Sequence, residues 1–598
     1  MKKLLLFVLS LTLQIASFPL AYVQAQTSIV LTPCKLEIGL SDPKTEIDAQ
    51  CGVLPVPENR SDPNSRMIDI HFTVLPAQNQ QSKQEPIFHF EGGPGGSAIS
   101  NFTVWYTSYR PLMPDHDIVL IDQRGTGTSS SIQCTEITDK ALDDLKQAST
   151  SAEDTDLLVE RMQACLTRLS KTTDPANYNS VTMADDTDAV RAALGYDKIN
   201  LFGNSYGTWL AQFYIGRHGD HVNAAVLDSV GGPWNFYLLD ATHNIEASLK
   251  RVFELCAEDT QCNALYPDLA GKFEQALSRL EEKSVSTVGS GLTGLAIPVV
   301  MTRDRLLNAF AQLLYQSAYI GSLPQAITQA AAGSYTLPAS ILVGAAEQSG
   351  DISEGLYYSV HCAESLPLYS EDVLGRYSTD QYYGLDVIGA EQLKRICAVW
   401  RGGELSEAEL APVRSGIPVL ILSGAFDPIT PVSFGEETKS RFSNSTLAVF
   451  PYQAHGLMPS SKCAQNIIRA FYATPTATLD TSCVADDLEP VFTGTVKLTM
   501  KPFRDAASPV QLMLPEGWLL QTDKITDQMA FFESPDGLQL LGAGIYRAKT
   551  AAEARQMAEQ AIAQAYGAVD TQATISLMGS LIVQQGLMTL GMFILRSR

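Results

Sequence analysis

The 598-residue chain is short of basic residues, with 42 Lys plus Arg against 65 Asp plus Glu and a net charge of −23. That excludes a nucleic-acid binder, which needs a cationic footprint to displace phosphate counterions. It equally disfavours anchoring to anionic lipid through basic side chains. No two cysteines form a C-x-x-C pair, so a zinc ribbon and a thioredoxin-like redox site have no support. Charged residues at 18% and hydrophobic residues at 45% exclude a disordered or collagenous chain. What remains is a globular protein of several domains, at roughly 100–200 residues per domain.

The N-terminus begins Met1-Lys2-Lys3, continues with an apolar run from Leu4 to Leu13 and reaches small residues at Ala21 and Ala25. A basic start, a short apolar stretch and a small-residue cleavage site predict a secretory signal over residues 1–25, hence a secreted or periplasmic protein. The run is too short for a spanning helix, which needs about 20 apolar residues. Ten cysteines follow, an even count that in an exported chain predicts disulfides. The simplest pairing joins sequence neighbours: 34–51, 134–165, 256–262, 362–397 and 463–483. The sequence leaves that connectivity open.

From Glu85 to Val230 short apolar runs (Ile87–Phe90, Ile118–Ile121, Ile199–Phe202, Ala224–Leu227) alternate with segments of helical spacing. Short, fully apolar strands separated by helices predict an α/β class with a buried parallel sheet. Between about Gly231 and Ser415 the pattern turns helical, with no convincing strand ladder. Strands return at Pro418–Ser423 and Leu447–Phe450. The expected division is a core in residues 26–230 and 416–485, a helical cap in 231–415 inserted between its halves, and an accessory α+β domain in 490–598. In that last part Val491–Met500, Val510–Leu514 and Met529–Glu533 read as strands and Thr550–Tyr566 as a helix. The uncharged stretch Ser576–Leu595 reads as paired strands ahead of a membrane span, because Gln584, Gln585 and its glycines dilute it. Membrane association follows only if that tail spans.

The chemistry concentrates at Gly203-Asn204-Ser205-Tyr206-Gly207, after the run Ile199–Phe202 and before the helical stretch Thr208–Gly216. Strand, sharp turn and helix are the context of a nucleophile elbow, which lifts Ser205 above the sheet and aims the Tyr206 amide at a developing oxyanion. A serine nucleophile needs a base, and the base an orienting acid. Asp427, in Gly424-Ala425-Phe426-Asp427-Pro428, follows a strand and supplies the acid. His455 is the single histidine beyond it and supplies the base. The second oxyanion donor is expected from Glu91-Gly92-Gly93-Pro94-Gly95-Gly96-Ser97. Pro94 has no N–H, which favours Gly93. No Gly-Lys-Ser/Thr follows this loop, so it is no phosphate loop. Asp122-Gln123-Arg124-Gly125-Thr126-Gly127-Thr128-Ser129 follows the next strand and buttresses the site, with Arg124 a candidate partner for a buried carboxylate.

Taken together, Gly92-Gly93-Pro94-Gly95-Gly96, the Asp122–Ser129 motif, Gly203-x-Ser205-Tyr206-Gly207, the Asp427 loop and His455-Gly456 resemble the proline iminopeptidase and tripeptidyl aminopeptidase family of α/β-hydrolase serine peptidases. The likeness spans roughly residues 35–485. Tyr206 after the nucleophile, and the many cysteines, look more like the secreted tripeptidyl aminopeptidase branch. The resemblance implies an α/β-hydrolase fold, cleavage of short peptides from a free N-terminus beneath a helical cap, and Cys463 with Cys483 in a TAP-like C-terminal segment. It does not reach beyond about residue 490, where no role is assigned.

An exopeptidase of free N-termini needs an acidic partner for the substrate's desolvated ammonium group. Glu364, in His361-Cys362-Ala363-Glu364-Ser365, is the first candidate and Glu91 the second. His218 and His221 are three residues apart without a carboxylate set and read as surface residues at a helix end, so neither a metal nor another cofactor is expected. Two rival readings stand beside the peptidase: a carboxylesterase or lipase-like hydrolase of small acyl esters, and a non-enzymatic surface binding protein.

Overall fold

The computed structural model describes residues 29–38, 45–81, 83–377, 389–487 and 489–493, and beyond these only strands between 500 and 596. The predicted signal and the predicted helix Thr550–Tyr566 lie outside the described residues.

Nine strands form one mixed sheet. They are β1 (Thr32–Ile38), β2 (Thr45–Pro57), β3 (Met67–Leu75), β4 (Ile87–Phe90), β5 (Ile118–Ile121), β6 (Ile199–Asn204), β7 (Val222–Asp228) and two from the second half of the chain. A hairpin of β8 (Val285–Ser290) and β9 (Ala296–Met301) intervenes, and β10 (Val419–Gly424) and β11 (Ser445–Phe450) complete the sheet. The order is β1-β2-β3-β5-β4-β6-β7-β10-β11. Strands β4, β5, β6, β7, β10 and β11 pair in parallel; β1 to β3 form an antiparallel extension joined to β5.

The parallel strands are apolar on both sides because helices cover both faces of the sheet. In β5, Val119 and Ile121 face one core with Leu201, Leu210 and Val419, whereas Ile118 and Leu120 face another with Phe102, Phe202 and Leu420. This period-2 division of an unbroken apolar run fixes the register of each strand. Helices Ser151–Leu169, Ser180–Leu194 and Tyr206–His218 cover the first face; Phe102–Tyr109 and Lys462–Ala473 cover the second. Thr150 and Asn179 close capping boxes at two helix starts, and Gly195 ends the second of these helices in the left-handed region.

The insertion between β7 and β10 is helical, as its sequence predicts, but contains the β8–β9 hairpin. The alternation in Val285-Ser286-Thr287-Val288 and the Gly291–Gly294 turn carry that signal, which the surrounding helical periodicity obscures. The insertion has its own apolar core, including Leu249, Phe273, Leu307 and Phe310. Phe426 and Ala454 are buried in that same core. The flanks of Asp427 and His455 are therefore packed against the insertion.

Five disulfides join 34–51, 134–165, 256–262, 362–397 and 463–483. Near the C-terminus Met500–Arg504 pairs with Gln511–Pro515, and Leu519–Leu520, Met529–Glu533, Gln539–Tyr546 and Thr589–Arg596 form a four-stranded antiparallel sheet. Part of the uncharged tail is thus a paired strand. Among the described residues no helix is long and apolar enough to cross a membrane.

Candidate active site

Ser205 follows β6 and caps the start of helix Tyr206–His218 with φ 56° and ψ −124°, a conformation outside the ordinary allowed regions for a side-chain-bearing residue. The strain falls on the serine, while the flanking glycines answer to space. A Cβ on Gly203 would stand 2.4 Å from the Gly207 carbonyl oxygen, and one on Gly207 would stand 1.9 Å from that of Phe90. The sharp turn and the close approach of β4 both demand glycine there.

Asp427 and His455 come from the loops after β10 and β11. The His455 Nδ1 atom lies 2.8 Å from Asp427 Oδ2, so the nitrogen facing the carboxylate carries the proton. The carboxylate is otherwise satisfied within its own loop. Its Oδ1 accepts from the amides of Ile429 and Thr430, both at 2.9 Å, and its Oδ2 from the Thr430 hydroxyl at 2.6 Å. Burial pushes the Asp427 carboxyl up, but the neighbouring His455 and the hydrogen bonds from His455 and Thr430 outweigh it and hold the group below the usual range. On the far side of the imidazole, Nε2 is buried with no hydrogen-bond partner. With Nδ1 donating to the carboxylate, the neutral ring presents its free lone pair at Nε2.

A cleft of about 360 Å³ is lined by Gly93, Ser205, Tyr206, Trp209, Ile429 and Thr430, among others. Gly93, with φ 120°, and the first residue of the Tyr206–His218 helix thus border the same space as the serine hydroxyl. The Tyr206 amide lies in the first turn of that helix, where backbone N–H groups lack intrahelical acceptors. The glycine loop is braced from behind. Ser97 donates to Asp122 Oδ1 at 2.6 Å, and Asp122 Oδ2 accepts from the Thr128 amide at 3.0 Å. Arg124 is fully buried and makes a two-pronged pair with Asp186, at 2.6 and 2.8 Å.

The two residues expected as ammonium anchors are both buried. Glu364 is completely buried beneath the cleft, with its oxygens held by the Ser180 amide at 2.6 Å, the Ser180 hydroxyl at 2.8 Å and the Trp209 indole N–H at 2.7 Å. Burial pushes its carboxyl up to about 7. Glu91 is also buried, bonded to the Gly92 amide, the Trp105 indole and His89. Each of their oxygens already accepts a hydrogen bond within the fold, because burying an unpaired carboxylate costs several kcal/mol. Their geometry makes Glu364 the support of Trp209, and Glu91 the support of the glycine loop.

His218 and His221 sit at the end of helix Tyr206–His218, as expected, but they do meet carboxylates. His218 Nε2 lies 2.9 Å from Asp185 and His221 Nδ1 lies 2.8 Å from Asp188. Arg217 and Arg191 pair with the same two acids, which makes the group an ion-pair network on the half-exposed surface.

Three participants escaped the sequence reading. Thr430 carried a local signal, since Asp-Pro-x-Thr is a side-chain-to-backbone turn. Asp228, at the end of β7, accepts from the amides of Leu457 and Met458 at 2.8–3.0 Å and so pins the segment after His455. Tyr315 of the insertion stacks on the His455 ring with centroids 4.4 Å apart. It stands in an amphipathic helix, where an aromatic residue reads as core.

The model of the α/β-hydrolase fold family matches residues 85–459. The chain is 24% identical to the tripeptidyl aminopeptidases of Streptomyces coelicolor and Streptomyces lividans, over 67% of its length and 75% and 76% of theirs. It is 24% identical to the serine protease Hip1 of Mycobacterium tuberculosis, over 74% of its length and 88% of that protein's. Over more than half its length, from the glycine loop to the histidine loop, the chain belongs to the α/β-hydrolase fold family.

Proposed function

We propose that the protein is an exported serine peptidase, an aminopeptidase that releases short peptides from free N-termini through Ser205, His455 and Asp427. One observation carries the reading. A serine held at φ 56° on a strand-to-helix turn shares a cleft with the residues that orient an imidazole, whose Nδ1 is fixed by a buried carboxylate and whose Nε2 is unpartnered. In the mechanism Ser205 Oγ attacks the scissile carbonyl and passes its proton to His455 Nε2. Asp427 stabilises the imidazolium, and the amides of Gly93 and Tyr206 hold the oxyanion. His455 then protonates the leaving amine, and water hydrolyses the acyl-enzyme by the same route in reverse.

Export is supported by the N-terminal segment and five disulfides. The peptidase reading, ahead of an esterase, is supported by the relatives named tripeptidyl aminopeptidase and serine protease. The helical insertion acts as the cap that selects short substrates. Ser205→Ala should abolish labelling by a fluorophosphonate probe; undiminished labelling would overturn the nucleophile. Ala-Ala-Pro and single-Pro amides, compared with N-blocked forms and p-nitrophenyl esters, separate the activities. A strict need for the free amine supports the aminopeptidase, and turnover of esters alone supports the esterase.

A further inference from the structure

The insertion reaches the catalytic loops directly. Its helix Arg303–Tyr315 ends at Tyr315, and three contacts tie this end to the histidine loop. The His455 amide donates to the Tyr315 carbonyl at 3.3 Å, the Ala454 amide donates to Ser317 Oγ at 2.8 Å, and the Tyr315 ring lies on the imidazole at an interplanar angle of 27°. The Tyr315 phenol lies close enough to Ser205 for the serine side chain to act on it. One residue of the insertion thus stacks on the histidine and stands beside the serine.

We propose that Tyr315 is a positioning residue that completes the catalytic site from the cap, by fixing the plane of His455 and directing the Ser205 proton toward it. This rests on the assignment of Ser205 and His455 above. A serine hydroxyl has one proton to donate and lone pairs that accept. Burial, and then the negative charge of Asp427, raise the Tyr315 phenol well above its ordinary value, so it stays protonated and serves as a donor. A phenol donor beside Ser205 engages a serine lone pair rather than its proton, which leaves that proton for the buried, unpartnered Nε2 of His455. The stacked ring holds the imidazole across its plane, whereas Asp427 and Thr430 hold its Nδ1 edge, and the π face favours the imidazolium formed during attack. Phe426 and Ala454, packed in the core of the insertion, keep the two loops in the same rigid unit as Tyr315.

The test compares native enzyme with Tyr315→Phe, which removes the hydroxyl, and Tyr315→Leu, which also removes the ring. Fluorophosphonate labelling rates, kcat and KM on p-nitrophenyl acetate, and thermal melts are measured on each. The expected result is a fall in labelling rate and kcat of about tenfold for Phe and about a hundredfold for Leu, with KM and melting temperature close to native. Native labelling rate and kcat in Tyr315→Phe would overturn the proposal, as would losses that only track a lowered melting temperature. Absence of labelling in the native enzyme would instead defeat the Ser205 assignment, which keeps the two failures distinct.

Discussion

The carbonyl oxygen of Phe90 stands 1.9 Å from the place a Cβ on Gly207 would take. Because Gly207 has no side chain, the end of β4 lies directly on the first turn of the nucleophile helix. The glycine loop that follows β4 is thereby set beside Ser205; a Cβ on Gly92 would come 3.2 Å from that of Ser205. Gly207→Ala forces backbone against backbone, and neither side can rotate away. A loss of about 3 kcal/mol or more, or no soluble protein, is expected. Gly219→Ala, whose Cβ meets Ile417 at an ordinary 3.4 Å, is the tolerated control. Thermal melts of the two variants decide the point.

Thr430 matters through Asp427. Its hydroxyl is a 2.6 Å donor to the carboxylate oxygen that also faces His455. Thr430→Val keeps the shape and removes the donor, which costs about 1.5–3 kcal/mol for a bond to a charged group. If that loss is felt in the transition state, kcat/KM falls by about tenfold to a hundredfold. Thr430→Ser restores the hydroxyl and should recover most of the rate. Equal rates in the Val and native enzymes would refute the role.

Stability should decline as pH rises from 5 to 8. Burial holds Asp228 up at about 6, Glu364 at about 7 and Glu354 at about 8, all above their ordinary carboxyl values. Between the unfolded and folded values the native state binds more protons than the unfolded chain. The stabilisation is full below the unfolded value and is lost as pH passes the folded one. Glu364→Gln removes one of these titrations and sets an amide N–H against the Trp209 or Ser180 donors. It should lower the melting temperature at pH 5 and flatten its slope between pH 5 and 8. An unchanged slope in melts across that range would contradict the assignment.

Cys362–Cys397 ties the segment that carries Glu364 to helix Ala390–Trp400. Replacing both cysteines with serine releases the 35-residue separation between them and should cost about 2–4 kcal/mol. A melt at neutral pH without reductant measures it, and an unchanged midpoint would show that packing alone holds this part of the insertion.

Much of the site was legible because its signals are local. A nucleophile elbow is written in five consecutive residues after an apolar run, and a loop that ends a buried strand is marked by Gly, Asp and Pro. Chain order then singled out Asp427 and His455. The disulfides joined the neighbours that the chain offers. The β8–β9 hairpin was hidden because alternation over six residues competes with the helical periodicity on either side. The antiparallel strands β1 to β3 are half-exposed, without the solid apolar runs that betray the parallel strands.

The amino-acid sequence by itself determined the class of fold, the strand-to-helix turn at Ser205 and the residue types that surround it, since each depends on neighbours a few positions apart. Tertiary structure alone decided which carboxylates are free. Glu364 and Glu91, expected as anchors for a charged substrate, are buried by the fold and bonded to Ser180, Trp209, Gly92, Trp105 and His89. It also decided that a tyrosine 110 positions from Ser205 would stack on the histidine and stand beside the serine. The physical reason is the same in each case. The energy of a buried polar group depends on partners brought from distant segments, and no local pattern records them.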